Sequence, residues 1–192
     1  MKLIRFKLPI IFPIILVIAL FSCSSKQNAV DFINSGKTTL HYKLGALDDI
    51  TYPDDFVKVE TETGYRYVNS SETLIYGFEN DEDNQEICTY IYVSKYDEFD
   101  PGKLFDIRIG ESVRVEKNET LGTEKRSLFD FLEENGFEEN RDIEYMESYV
   151  EYIDGVRCHW QCYKKDNVEL NVLVDQTGTS QLRAFEIILA EK

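Results

Sequence analysis

Read for its apolar and polar positions, most of this chain follows the period of two that predicts strands. Residues 38–44 form a short β-branched and aromatic run. Tyr52-Pro53-Asp54-Asp55 is a turn signal, and the run Phe56-Val57-Lys58-Val59 follows it. Residues 64–68 carry Tyr65 and Tyr67 on alternate positions. Residues 73–78 and 87–93 are apolar runs separated by Asn80-Asp81-Glu82-Asp83-Asn84, a polar break that predicts a hairpin. Residues 106–115 alternate only in part and are ambiguous.

One helix stands out against this background. Ser127 can cap it, and Asp130, three residues on, completes a weak form of the capping box. Leu128, Phe131 and Leu132 share one face with Phe129 beside it, and Gly136 sits where a left-handed residue ends a helix. Residues 142–153 then lead into Asp154-Gly155, the strongest hairpin signal in the chain. Residues 156–164 return, Lys165-Asp166-Asn167 turns, and the runs 168–175 and 182–190 follow, with a loop at 176–180. This order predicts an α+β fold: an antiparallel sheet, a meander in its C-terminal half, covered on one face by the helix near 127–136.

The first residues follow another rule. Lys2, Arg5 and Lys7 precede an uncharged apolar stretch, residues 8–21, broken by Pro9 and Pro13. A transmembrane helix needs roughly 20 apolar residues, so this stretch reads instead as the centre of a secretory signal. Leu20-Phe21-Ser22-Cys23 closes it and resembles the bacterial lipobox, with Phe21 bulkier than the usual occupant. That resemblance implies cleavage before Cys23 and diacylglycerol on its thiol, and hence an anchor in the lipid bilayer at the extracytoplasmic face of the cell membrane. The expected organisation is a signal peptide over 1–22, a tether over 23–37 with one helical turn near 29–33, and a single domain over 38–192.

Charge narrows the possible partners. The 192 residues include 21 basic and 36 acidic side chains, a net charge of −15. Removing residues 1–22 takes away three basic side chains and no acidic one, leaving 18 against 36 and a net charge of −18. Such a body lacks the basic stripe that nucleic acid requires and is repelled by anionic lipid. At 43% hydrophobic and 13% aromatic, the chain is also too apolar to be disordered throughout.

The order of elements resembles the PsbP-like domain, common in bacterial lipoproteins. The stretches that carry the resemblance are Tyr52-Pro53-Asp54, residues 73–93, residues 127–136 and Ile153-Asp154-Gly155, within a span of about 40–190. The family usually adds a C-terminal helix, whereas Phe185-Glu186-Ile187-Ile188-Leu189 reads as a strand here. The resemblance implies an accessory or binding protein, and it brings no shared catalytic residues.

Candidate chemistry is sparse. Cys158 and Cys162 lie four residues apart on one predicted strand, so their α-carbons should stand about 13 Å apart. A disulfide spans at most about 7 Å. With Val156 and Trp160 they read most simply as core thiols on one face; alternatively either bridges Cys88 on a neighbouring strand. The same alternation sends His159 away from both sulfurs, so Cys158-His159-x-x-Cys162 does not read as a zinc site. His41 and His159 are the only histidines, and no Gly-x-Ser-x-Gly elbow exists. Glu79, Asp81, Glu82, Asp83 and Glu86 fail as an EF-hand, because Glu86 and Tyr92 occupy the positions for its glycine and terminal glutamate; they read as a solvated hairpin tip.

Tyrosine remains. Tyr90 and Tyr92 share one predicted strand face, and Tyr145 and Tyr149 share another around Glu147. Such side chains present large contact area at little rotamer cost. The expectation is a non-catalytic lipoprotein, without cofactor or metal, that binds an envelope protein or wall component. The alternatives are a receptor for a small ligand or cation on the acidic surface and, less favoured, an envelope hydrolase.

Overall fold

The structure is a computed structural model that describes residues 27–35, 38, 40–95, 102–115, 126–140, 150–153 and 155–190. The expected signal peptide over 1–22, Cys23, Tyr145, Tyr149 and Asp154 lie outside the described residues. Among the described residues, no helix is long and apolar enough to cross a membrane.

The fold is α+β and dominated by one antiparallel sheet. Its first half is a meander of β1 (Phe56–Glu60), β2 (Gly64–Asn69), β3 (Leu74–Asn80) and β4 (Glu86–Val93). Two small ribbons follow, pairing β5 (Lys103–Leu104) with β6 (Ile107–Arg108) and β7 (Arg114–Val115) with β8 (Arg126–Ser127). After the helix and the short β9 (Glu138–Glu139), a second meander runs through β10 (Val150–Ile153), β11 (Val156–Lys165), β12 (Val168–Asp175) and β13 (Leu182–Leu189). The last strand returns to β4, so the sheet reads β1-β2-β3-β4-β13-β12-β11-β10. Its ninth strand, β9, pairs with β11 beyond the reach of β10.

Local chemistry explains the turns. Phe56 N donates to Pro53 O at 3.0 Å where the Tyr52-Pro53 turn was expected. Asp81 Oδ1 accepts from Asp83 N and Gln85 N at the β3–β4 turn, and Asn84 takes the left-handed backbone there. Gly64 has another reason: a Cβ on it would fall 2.0 Å from the Phe78 carbonyl oxygen, so only glycine lets β2 approach β3.

The core lies on one face of the sheet. Tyr76 and Phe78 on β3, Ile91 and Val93 on β4, Phe185 and Ile187 on β13, and Leu170 and Val172 on β12 are all fully buried. The helix predicted from Ser127 covers them as α2 (Leu128–Glu134), the second helix in chain order. The capping box is complete: Ser127 Oγ accepts from Asp130 N and Asp130 Oδ2 from Ser127 N. Leu128, Phe131 and Leu132 are its buried face, Phe129 stacks on Tyr163 of β11, and Gly136 takes positive φ just past its end.

Two expectations are corrected. The helical turn near residue 29 is present as α1 (Ala29–Ile33), but it belongs to the domain rather than to a tether. Ala29 and Ile33 are fully buried, and the Phe32 ring meets Phe105, Phe131 and Phe137 at 5.2–5.8 Å. The domain therefore takes in residues ahead of 38, Ala29, Phe32 and Ile33 among them. The described residues of the run at 38–44 form no strand, although Thr38, Leu40, Tyr42 and Leu44 are buried. No described strand runs beside it. The Asn34 side chain stands in for one, donating to Leu44 O and accepting from Leu44 N.

The register of β12 on β13 shifts between Leu173 and Val174, and Asp175 anchors the shift. Its Oδ1 accepts from Gln181 N and Thr177 Oγ1, and its Oδ2 accepts twice from the Arg183 guanidinium. Burial acts to raise the Asp175 carboxyl, but these hydrogen bonds and the charge of Arg183 outweigh it and hold the carboxyl below its ordinary 3.8. A carboxyl lowered on folding stabilises the fold above its unfolded value and loses that contribution as pH falls through its folded value. Asp175→Asn should therefore be less stable than the wild type at neutral pH, with the gap closing below about pH 3.8, as urea unfolding across pH will read.

Candidate functional site

The face of the sheet opposite the core carries the candidate surface. Strand register sets Val59, Arg66, Gly77, Tyr90 and Ile188 in one row across five strands, and Val57, Val68, Ile75, Tyr92 and Glu186 in the next. Val57 and Val59 are exposed, and Val68, Ile75, Tyr90, Tyr92 and Ile188 are half-buried. Tyr90 and Tyr92 thus share a face, as their spacing predicts, and that face adjoins aliphatic side chains from β1, β2, β3 and β13.

A polar ladder crosses the same face. The Arg66 guanidinium lies 4.7 Å from the centre of the Tyr90 ring, a cation–π contact. Gly77 between them makes the approach possible, since a Cβ there would come within 2.8 Å of the Tyr90 Cβ. Tyr90 Oη donates to Glu186 Oε2 at 2.9 Å, and Asn171 Nδ2 donates to Glu186 Oε1 at 2.8 Å. Glu169 accepts from Asn171 and pairs with Lys164 at 3.0 Å. Burial first, then the charge of Glu186 and the bond to it, push the Tyr90 phenol above its ordinary range, so it stays a neutral donor. Beyond the ladder, the buried Cys158, Leu173 and Ala184 form a small second cluster with Trp160 and Tyr92 against it.

The cysteines divide between the faces. Cys88, Cys158 and Cys162 are all free thiols. Cys88 belongs to the main core, whereas Cys158 packs in the cluster on the opposite face. Three strand spacings separate β4 from β11, about 14 Å at 4.7–4.9 Å each. The alternative bridge from Cys88 to Cys158 or Cys162 is therefore corrected to buried thiols. Burial pushes the Cys88 thiol up to about 12 and the Cys162 thiol up to about 11, so both stay protonated near neutrality. His159 falls on the face away from both sulfurs, next to Gln161. Burial and the nearby Arg157 charge lower its pKa and keep the imidazole neutral. Among the described residues, no three His, Cys, Asp or Glu side chains are grouped to hold a metal ion.

The acidic hairpin tip forms one wall of a groove at the end of the sheet, about 1060 Å³ in volume. Glu79, Asp81, Glu82, Asp83, Asp31 and Asp166 line it together with Val30, Ile87 and Leu189. Several of its polar groups already have structural work. Asp166 Oδ2 accepts from Ala29 N, Asp81 organises its own turn, and Lys165 Nζ donates to Gln27 O and Asn135 O.

A tyrosine cluster went unrecognised in the sequence. Tyr42 Oη donates to Asp48 Oδ1 at 3.0 Å, and Tyr65 Oη lies 3.0 Å from both Asp48 Oδ2 and Glu86 Oε2. Tyr52 stacks on Tyr67 at 3.7 Å, and Lys58 lies 3.4 Å over the Tyr65 ring. Burial, then the bonds to Asp48 and Glu86, raise the Tyr65 phenol. The alternation of Tyr65 and Tyr67 was a signal for it, but nothing local pointed to Asp48.

No protein-family model, no curated protein sequence and no solved structure matches this chain.

The thiols give a direct check. Native protein should react only slowly with a soluble thiol reagent at Cys88, Cys158 and Cys162. Denatured, unreduced protein should be labelled at all three sites by intact mass, and a missing label after denaturation would mean a bridge.

Proposed function

We propose that this chain is a lipid-anchored, extracytoplasmic accessory protein that binds an envelope protein through the outer face of its sheet. The observation that carries this reading is the composition of that face. Rows of aliphatic and aromatic side chains from β1, β2, β3, β4 and β13 stand half-exposed around Tyr90 and Tyr92, while α1, α2 and the core occupy the other side. An apolar patch with a tyrosine and arginine centre has the make-up of a protein interface. The lipobox resemblance at Cys23 supports the address. The PsbP-like resemblance implies the same accessory role, with β13 standing where that family usually adds a C-terminal helix.

Crosslinking in cells, followed by pull-down and mass spectrometry, tests the reading, with Cys23→Ser as the untethered control. Wild-type protein should capture one discrete partner. Val68→Arg combined with Ile75→Glu, opposite charges on directly paired positions, should lose it while melting near the wild-type temperature. Capture that survives both changes removes this face from consideration.

A second reading rests on the end groove: its acidic walls would suit a cationic ligand. Saturating ligand at a hundred times its dissociation constant stabilises a fold by about 2.7 kcal/mol, which is a rise of roughly 5–10 °C in Tm for a chain of this size. Calcium and short basic peptides should then raise the melting temperature, and a flat response to both dismisses the groove as a receptor for either.

A further inference from the structure

β1 is an open edge of the sheet: β2 lies on one side, and no described strand lies on the other. Val57, Lys58, Val59 and Glu60 are all exposed, Val57 at 60% and Val59 at 47%. Folded proteins blunt such an edge with a proline, a bulge, a very short strand or charged side chains, because its free N–H and C=O groups template another chain. The two charges of β1, Lys58 and Glu60, are opposite in sign and so complement a second copy of the strand. β1 has no proline, and its register with β2 is unbroken over five residues.

The adjoining turn shows which backbone groups are free. Thr61 N donates to Gly64 O at 2.9 Å, so Thr61 turns its polar groups toward β2. Alternate residues repeat that direction in an antiparallel ladder. Val59 and Val57 therefore bond to β2, and Lys58 and Glu60 aim their N–H and C=O groups at the open side.

We infer that a second copy of this chain occupies this edge, with β1 pairing antiparallel to its counterpart about a two-fold axis at Val59. In this register Lys58 stands opposite Glu60 of the partner subunit, and Glu60 opposite Lys58 of the partner subunit, so the outward backbone groups pair with one another. On the outer face Val59 meets the partner's Val59, and Val57 meets the partner's Thr61. Centred on Lys58 instead, the same strands would place two lysines face to face, and like charges directly opposite destabilise a strand pair. The strand is thus self-complementary, as a two-fold interface requires. Exposed ion pairs add little energy, so charge selects the register while backbone bonds and the covered valines hold the contact. A single strand pair is small beside a standard interface of roughly 1,600 Å², so the dimer is weak and reversible.

Disulfide trapping in the full-length protein tests this. Val59 and the partner's Val59 would be a non-hydrogen-bonded pair with Cα atoms about 4.5 Å apart, within disulfide reach. Val59→Cys should give a covalent dimer under mild oxidation, at least tenfold more than Val57→Cys, whose counterpart lies roughly 13 Å further along the strand. Lys58→Cys should also stay monomeric. In the Val59→Cys background, Lys58→Glu or Glu60→Lys alone should cut trapping several-fold, and the two together should restore it. A Val59→Cys chain that melts like the wild type yet stays monomeric overturns the inference. Equal trapping at 57, 58 and 59, or a disulfide to a different protein, overturns it as well. Sedimentation of the unmodified chain is the independent reading: a dimer fraction that rises with concentration supports the pair, and a monomer up to about 1 mM rejects it.

Discussion

The antiparallel pairing of β4 with β13 is the contact on which the rest of the molecule depends. It joins two meanders that each form from neighbouring strands, and it joins them across a long separation: Tyr90 and Glu186, bonded on its outer face, lie 96 residues apart. On the core side it sets Val93 opposite Phe185 and Ile91 opposite Ile187, all four fully buried. Contacts so distant in sequence bring a large loop-closure entropy, which apolar burial across the seam must offset. Without the seam there would be two half-sheets, each with an exposed apolar face.

The seam also determines what each face of the sheet can do. Among the described residues between the meanders, Leu104, Phe105, Ile107 and Val113 pack with α2 on one side, and α1 joins them there through the Phe32 ring. The other side keeps the Arg66, Tyr90 and Glu186 ladder and the rows of aliphatic side chains. Its polar centre is largely satisfied internally, which keeps the patch soluble while its apolar flanks remain available. The open edge at β1 lies at the end of the same rows, so a partner on the face and a second copy at the edge would meet neighbouring side chains.

Features that act over a few residues were legible in the sequence. The Ser127–Asp130 capping box, Gly136, the Asp81 turn, the strands flanking residue 155 and the alternation of β11 all depend on neighbours within one turn or one strand. Cys158 and Cys162 fell on one face, and Tyr90 and Tyr92 on another strand's face, because side chains alternate at a strict period of two. The ribbon at Leu104–Ile107 was not legible. Phe105 and Asp106 both take positive φ there, where glycine or asparagine is the usual signal, and burial of Phe105 against Phe32 and Phe131 holds it.

By itself, then, the sequence determined the long strands of the sheet, the helix from Ser127 and which way their side chains alternate, because backbone sterics and local hydrogen bonds decide these. Only the tertiary structure decided which strands pair, and with that which alternating face is core. It left residues 40–44 without a described partner strand, drew α1 out of the expected tether, parted Cys88 from Cys158, and aimed Tyr65 at Asp48. Each of these depends on a chain segment far away in sequence, and burial of apolar area, which has no preferred sequence spacing, is what brings such segments together.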